Sequence, residues 1–503
     1  MNHHRLSDYV LTLGPLVVSS SLADDPAITQ VTYDSRQVIP GALFICKGAH
    51  FQPDYLLHAL ERGAVAYLSD TPYPQVASVP WITVTDIRQA IAQAGSLFYD
   101  QDWQALTLLG VTGTKGKTTT TIMLHSILAA WMRRNSGPRP GIISSLRNED
   151  GAASATPVHT TPETLDLYQH LHNAVTAGLR QVCLEVSSQA LRYRRVDNLR
   201  FEASCFLNVS EDHISPKEHP DYDDYLQAKL QLFDQSRLAV VNARTADLAR
   251  VLAATEKCQK VVTFARQEPG TDWLDADVVA YDLVEQGSCQ EFTVRAHDGV
   301  EKLSIRLVGQ FNVDNALAAI SMARLLDVPW DLIREGLAEA HIPGRMEVFR
   351  LCGGKTVIVD YAHQKLSIET LLAWAKEHYR SAHLTMVFGS VGDKALNRRQ
   401  ELGTLAGQWA DDIYLTEDDP GEVPVDEICD ELNQYIQSTG HRPGQIVLDR
   451  TEAIHQAITN SPDDGLVLVI GKGAETRQIR GQIHVPILSD IEVVRRYAAE
   501  QAD

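Results

Sequence analysis

The stretch at residues 110–121, GVTGTKGKTTTT, decides how this chain reads. It follows an apolar run, LTLL, and precedes TIMLHSILAAW, which has helical apolar periodicity. A glycine turn between strand and helix offers backbone N–H groups and a helix N-terminus to an anion. Lys117 would supply charge for phosphate oxygens, and the Thr118 hydroxyl would reach a magnesium ion. Gly113, Thr114, Gly116 and Thr119 complete the loop. The common phosphate loop is G-x-x-x-x-G-K-[ST], but Val111 stands where its first glycine belongs. A glycine turn without ligand is the bland alternative; the strand–turn–helix context favours a nucleotide.

Outward from the loop, strand-like runs alternate with helical patterns: PGIISS, QVCLEVSS, EASCFLNVS, LAVVNA and KVVTFA. Such alternation favours an α/β fold with a mainly parallel sheet and helices on both faces. A Pro-Gly break, HIPGRMEV, falls at 341–348, and RMEVFRLCGGK reads as a linker. Beyond it the alternation restarts with TVIVDYAH, LTMVFGS, DIYLTED, QIVLD and GLVLVIGKG, a Rossmann-like unit. Upstream, ALFIC and AVAYLS flank the helical DYLLHALERGA in a smaller α/β unit. The expected division is 1–104, 105–343 and 344–503.

A chain of 503 residues accommodates two to four domains. Hydrophobic residues make up 44% and charged residues 22%, as in ordinary globular proteins. The net charge of −20 disfavours nucleic acid as a partner. It leaves room for a small anion held by local cations and backbone N–H groups. No run is long enough to span a bilayer, and the N-terminus lacks the pattern of a signal peptide. Seven scattered cysteines without a C-x-x-C spacing read as reduced thiols, so a cytoplasmic enzyme is expected.

Several other stretches carry candidate chemistry. Glu185 ends an apolar strand in LEVSSQAL, where α/β enzymes place ligand groups. Residues 207–233 hold Asp212, His213, His219 and a run of acids, followed by a helix carrying Lys229. A solvated polar loop is the blander reading of that stretch. Asn-rich VGQFNVDNALAAI suits a helix start, and VDYAH puts Asp360 and His363 at a strand end.

Taken in order, these stretches resemble the Mur ligases, the ATP-dependent enzymes that build the peptide of peptidoglycan. TGTKGKTT is similar to that family's own loop, T-G-T-x-G-K-T/S, which accounts for the failed count. TYDSRQVIPGALFICKGAHF, TTPET, EVSSQAL, PGRMEV, DYAH and GKGAE resemble the branch that adds the third residue to UDP-N-acetylmuramoyl-L-alanyl-D-glutamate. The likeness runs from about residue 30 to 485. It implies an N-terminal UDP-sugar domain, a central ATPase domain and a C-terminal Rossmann-like domain. It implies ATP and Mg2+, an acyl phosphate on the D-glutamate and attack by an amino acid.

The resemblance places Lys117 on the γ-phosphate, with Lys117, Lys229 and His213 as catalytic groups. Thr118, Glu185, His213 and Lys229 match metal-site positions, and Lys229 sits where the family carries a carbamylated lysine. Asn315 matches an adenine contact; Arg345, Asp360 and His363 match ATP contacts. Ser35, Thr160, Thr161, Ser187 and Arg195 match contacts to the UDP-MurNAc-peptide. Lys394 and Glu475 match contacts to the amino acid. A cytoplasmic monomer is the expected form.

The departures are informative. Lys115 replaces an Asn in the loop, either adding a cation near the phosphates or pointing to solvent. His159 replaces an Asn, and Gln189 stands where His is common. DHISPKEHP is two residues longer than usual, and DYAHQKLS replaces DYAHTPD, variants similar to the lysine-adding branch. Enzymes adding meso-diaminopimelate carry D-N-P-R where this chain has Asp418, Asp419, Pro420 and Gly421. Losing the arginine and gaining an acid favours a substrate side chain ending in a cation. L-lysine is expected, with L-ornithine and meso-diaminopimelate as alternatives and an acidic surface turn as the bland reading. Lys394 replaces a family Arg and would hold a carboxylate as a point charge. A folylpolyglutamate-synthase-like ligase and a nucleotide-driven switch protein are the other readings; the first lacks the DSRxVxPG domain.

Overall fold

The computed structural model describes residues 4–48, 51–152, 154–155, 157–211, 214, 218–273, 275–286, 289–392 and 397–501. The class is α/β, as the alternation implies, built on three main sheets.

The N-terminal sheet has five strands, ordered Val17–Ser21, Trp81–Val84, Ala64–Ser69, Ala42–Ile45, Gln30–Thr32. The first pair, Val17–Ser21 with Trp81–Val84, is antiparallel and the rest are parallel. Alternate residues go to opposite faces. Leu43, Ile45 and Leu68 meet the helices Leu6–Leu13 and Ile87–Phe98 on one side. Phe44 and Tyr67 meet Pro53–Glu61 on the other.

The central sheet has eleven strands. Seven parallel strands form its body, with β1 (Thr107–Thr112) between Phe201–Phe206 and β2 (Gln181–Glu185). Because both faces are covered, these strands read as continuous apolar runs. Leu109 and Val111 face α1 (Lys117–Arg134), which shares its core with Gln310–Leu325 and Trp330–Glu339. Leu108, Val182 and Leu184 face Thr164–Thr176. Antiparallel strands Cys289–Ala296 and Gly299–Ile305 extend one edge, an addition the β/α pattern does not announce.

The C-terminal sheet is ordered Glu347–Arg350, β3 (Thr356–Asp360), Leu466–Ile470, β4 (Leu384–Phe388), β5 (Asp412–Leu415), Gln445–Ile446. All but the first pair are parallel. The strand Leu466–Ile470, β6 here, inserts between β3 and β4, which makes a crevice at the strand ends. The expectation of a linker at RMEVFRLCGGK is corrected. Residues Glu347–Arg350 pair antiparallel with β3 through a tight turn at Cys352–Gly354. The alternating pattern EVFR was too short to announce a strand by itself. Among the described residues no helix is long and apolar enough to cross a membrane.

Candidate functional site

The C-terminal end of β1 runs into Gly113, and Gly116 caps α1 at φ +83°. That conformation is strained for any residue with a Cβ. A Cβ there would also lie 2.0 Å from Asn315 Oδ1, so Asn315 is packed on the loop. The loop is held open by side chains distant in sequence. Asn208 accepts from the Lys115 N–H at 2.9 Å and donates to the Lys115 carbonyl at 3.1 Å. Thr114 Oγ1 lies 3.0 Å from the Tyr225 hydroxyl and accepts from the Ser210 N–H at 3.1 Å. Lys115 is half-buried, its backbone clasped by Asn208. Lys117 Nζ donates to the carbonyls of Gly113 and Thr114 at 3.1 and 3.2 Å, inside the cradle that a phosphate would fill.

Behind the loop, Thr118 Oγ1 donates to both Glu185 oxygens at 3.2 and 3.0 Å. Ser145 joins them: its N–H donates to Glu185 at 3.0 Å and its hydroxyl lies 2.8 Å from Thr118 Oγ1. Thr118, Thr119 and Glu185 are buried. Carboxylate and hydroxyl oxygens make a hard-donor set that suits magnesium. Thr118 and Glu185 are therefore brought together as the resemblance implies, and Ser145 is a partner it did not supply. Its only signal was a place after a strand end, in PGIISS.

Lys229 is 1% exposed on the helix Tyr222–Asp234. Its Nζ donates to the Gly113 carbonyl at 2.8 Å and sits 4.4 Å from the Tyr225 ring centroid. Lys229 therefore points inward and not to the solvated face of its helix. His213 and Lys394 lie outside the described residues. Among the described residues, no cluster of three His, Cys, Asp or Glu side chains is poised to hold a metal.

The candidate peptide contacts gather beside β2. Thr161 Oγ1 donates to the Glu185 carbonyl at 2.8 Å and accepts from the Ser187 N–H at 3.0 Å. Ser187 caps the short helix α2 (Ser188–Arg192). Arg195 donates to the Thr161 carbonyl at 3.0 Å and pairs with Glu163. Glu163 also pairs with Lys47 of the N-terminal unit at 2.6 Å. Burial opposes the charged form of Glu163, but Lys47 and Arg195 outweigh it and hold its pKa low. Thr160 is half-buried and His159 exposed in the same segment. Ser35 is half-buried in a turn that follows Tyr33, whose ring lies under Lys47.

The remaining residues cluster at the ends of β3, β4, β5 and β6. Asp360 accepts from the N–H groups of Met346 and Ala362, each at 2.7 Å. Burial raises its pKa, opposed by Arg345. Arg345 stacks on Tyr361 at 4.3 Å, Tyr361 donates to Glu475 at 2.8 Å, and His363 Nδ1 meets the Tyr361 carbonyl at 2.7 Å.

A cleft of about 270 Å³ opens here, lined by Tyr361, Ser390, Arg398, Asp418, Asp419 and Glu475. Gln189 and Glu218 of the central unit line it from across. Asp419 is engaged: Lys472 donates to it at 2.9 Å and the Ile479 N–H at 3.0 Å. Lys472, 1% exposed, also pairs with Glu475 at 2.7 Å and was not singled out from sequence. Asp418 stands farther from it, at 3.9 Å. Burial pushes Asp418 up to about 6, against the pull of Lys472. Ser390 is 3% exposed, and its hydroxyl has no hydrogen-bond partner among the described residues. Behind the cleft, buried Arg450 donates to Asp490 at 2.6 and 2.8 Å and to the Ile470 carbonyl at 2.8 Å. Asp490 in turn accepts from the Gly473 N–H at 2.9 Å, fixing the GKGAE turn.

A strand–glycine turn–helix loop backed by a carboxylate, a buried helix lysine packed against that loop and an acidic cleft at the C-terminal strand ends are the parts of a nucleotide-using enzyme. Residues 111–323 match the Mur ligase middle domain, and residues 344–473 match the Mur ligase, glutamate ligase domain. The chain is 36% identical to a UDP-N-acetylmuramyl-tripeptide synthetase of Lactobacillus delbrueckii subsp. bulgaricus, covering 96% of each. It is 36% identical to a UDP-N-acetylmuramoyl-L-alanyl-D-glutamate--L-lysine ligase of Enterococcus faecalis, covering 98% of this chain and 96% of the relative. A solved UDP-N-acetylmuramoyl-L-alanyl-D-glutamate--2,6-diaminopimelate ligase superposes with a TM-score of 0.66 at 25% identity, over 100% of both chains. The chain belongs to the Mur ligase family, whose members are ATP-dependent ligases.

Proposed function

We propose that this protein joins L-lysine to the D-glutamate of UDP-N-acetylmuramoyl-L-alanyl-D-glutamate, at the expense of ATP. The observation that carries the specificity is the cleft lining: four carboxylates, Glu218, Asp418, Asp419 and Glu475, with Arg398. An amino acid ending in a second cation complements that charge, with its carboxylate near Arg398 and its ammonium near Asp418. Gly421 stands where the diaminopimelate-adding pattern has arginine, so no guanidinium at that position meets a second carboxylate. The name of the Enterococcus faecalis relative supports the same choice.

The reaction runs in two balanced steps. A carboxylate oxygen of the D-glutamate takes the γ-phosphoryl group of ATP, releasing ADP. The α-amine of lysine then attacks the acyl carbon; the C–N bond forms, the acyl C–O bond breaks with its electron pair leaving on phosphate, and the amine's proton passes to solvent. Magnesium, when bound, neutralises charge on the transferring phosphoryl group. Thr118 and Glu185, supported by Ser145, would hold it. Lys117 and the N–H groups at the first turn of α1 hold the phosphates, and the enzyme's main contribution is position and electrostatics. Lys229, carbamylated, would turn from cation to anion and support a second magnesium. Thr160, Thr161, Ser187 and Arg195 bind the peptide acceptor, with Ser35 toward the uridine-sugar end. The proposed units are 1–104, 105–343 and 344–503, and the proposed setting is cytoplasmic.

Phosphate release, measured with ATP, magnesium, the UDP-linked dipeptide and single amino acids, tests the reading. Release is expected with L-lysine and only when the UDP-linked acceptor is present. Release with diaminopimelate but not lysine would overturn the specificity, and release indifferent to the acceptor would overturn the ligase.

A further inference from the structure

His219 lies outside the groups used above, yet it is fully buried beside them. Its Nδ1 lies 2.6 Å from Asp224 Oδ2 and its Nε2 lies 3.0 Å from Ser188 Oγ. With Nδ1–H given to the carboxylate, the Nε2 of the neutral ring accepts the Ser188 hydroxyl. A Ser–His–Asp order of this kind suggests a nucleophile, but Ser188 is 4% exposed and His219 0%, so no acyl group reaches them. What the three residues join is more informative.

Ser188 opens α2, directly after Ser187, whose N–H and hydroxyl meet Thr161. Asp224 lies in the first turn of α3 (Tyr222–Asp234), followed by Tyr225, which reaches Thr114, and Lys229, which reaches Gly113. The His219 ring also meets the Tyr225 ring edge-on at 5.1 Å. The buried imidazole thus ties the helix start beside the peptide contacts to the helix that braces the phosphate loop, next to a half-exposed pair between Arg192 and Asp224 at 3.4 Å.

We propose that His219 is a positioning residue that holds α2 and α3 in one register, so that the acceptor carboxylate and the phosphate loop meet in line. The proposal rests on the ligase reading of the site. A misplacement of about 1 Å caused away from the reacting atoms can cost about 10²-fold.

The test compares Ser188→Ala, His219→Asn and the double variant. Asn keeps a donor toward Asp224 but cannot reach Ser188. Each single change is expected to lower kcat/KM for the UDP-linked dipeptide by about tenfold or more. The double variant is expected to be no worse than the worse single, because one bond is lost in all three. Losses that multiply, or kinetics within about twofold of the parent, would overturn the proposal. Hydrogen exchange on the resting protein checks the bridge without any turnover. Ser188→Ala should speed exchange in both 187–192 and 222–229; a change confined to the first segment overturns the bridge whether or not the ligase reading holds. A parent enzyme that releases no phosphate with the UDP-linked acceptor would instead sink the ligase reading.

Discussion

The phosphate loop and the cleft we propose for the amino acid are built to hold a charged ligand in opposite ways. The proposed phosphate site is a run of six consecutive residues, braced by Asn208 and Tyr225, that offers the N–H groups at the start of α1. The cleft is made from side chains at four strand ends spread over residues 361–475, faced by Gln189 and Glu218. Its charges are partly spent on one another: Lys472 occupies Asp419 and Glu475, leaving Asp418 less engaged. A backbone site tolerates side-chain variation around it. A side-chain site is specific because each charge depends on its neighbours.

That contrast can be broken at its strongest point first. Lys117→Ala is expected to lower turnover by about 10²–10³-fold or more, because it removes a cation aimed at the developing phosphoryl charge. Steady-state phosphate release measures it, and a loss under about tenfold would count against the loop. Next, Arg450→Ala leaves Asp490 buried without its partner. It should cost about 3–5 kcal/mol in urea unfolding, with the amino-acid site weakened alongside.

Asp418→Asn should lower kcat/KM for lysine by about 10–100-fold, while Asp419→Asn, already committed to Lys472, should cost roughly tenfold less. The pH profile sharpens this. Asp418 must be ionised to meet an ammonium, and burial holds its pKa at about 6 in the free enzyme. Therefore kcat/KM for lysine should fall as pH drops through about 6, and Asp418→Asn should flatten that limb. The stability linkage has the opposite sign. A raised carboxylate pKa contributes stability below the unfolded value and loses it as pH rises through the folded one. The smallest effect belongs to Lys115→Ala. Its backbone is what Asn208 holds, so turnover should stay within about threefold of the parent.

Much of this was legible beforehand because it is local. β1, the loop and α1 occupy one continuous stretch, so the apolar period and the glycines announce them together. Thr118 and Glu185 were each named from sequence, but Ser145 was not: a serine after a strand has no signature until the sheet order brings it to that carboxylate. Lys472 was likewise hidden inside GKGAE. Its role depends on β5 and β6 standing on either side of β4, which sets Asp418 and Asp419 within its reach. The segment RMEVFR misled as a linker because a four-residue edge strand has too few residues to show its period.

The sequence by itself determined the α/β class, the phosphate loop, the family likeness and the loss of an arginine at Gly421. Each is a property of neighbouring residues or of motif order. Only the tertiary structure decided that Lys229 is buried against the loop, that Asp419 is spoken for while Asp418 is less so, and that His219 joins two helices. Those are distances between residues far apart in the chain, and burial changes the strength of every charge involved.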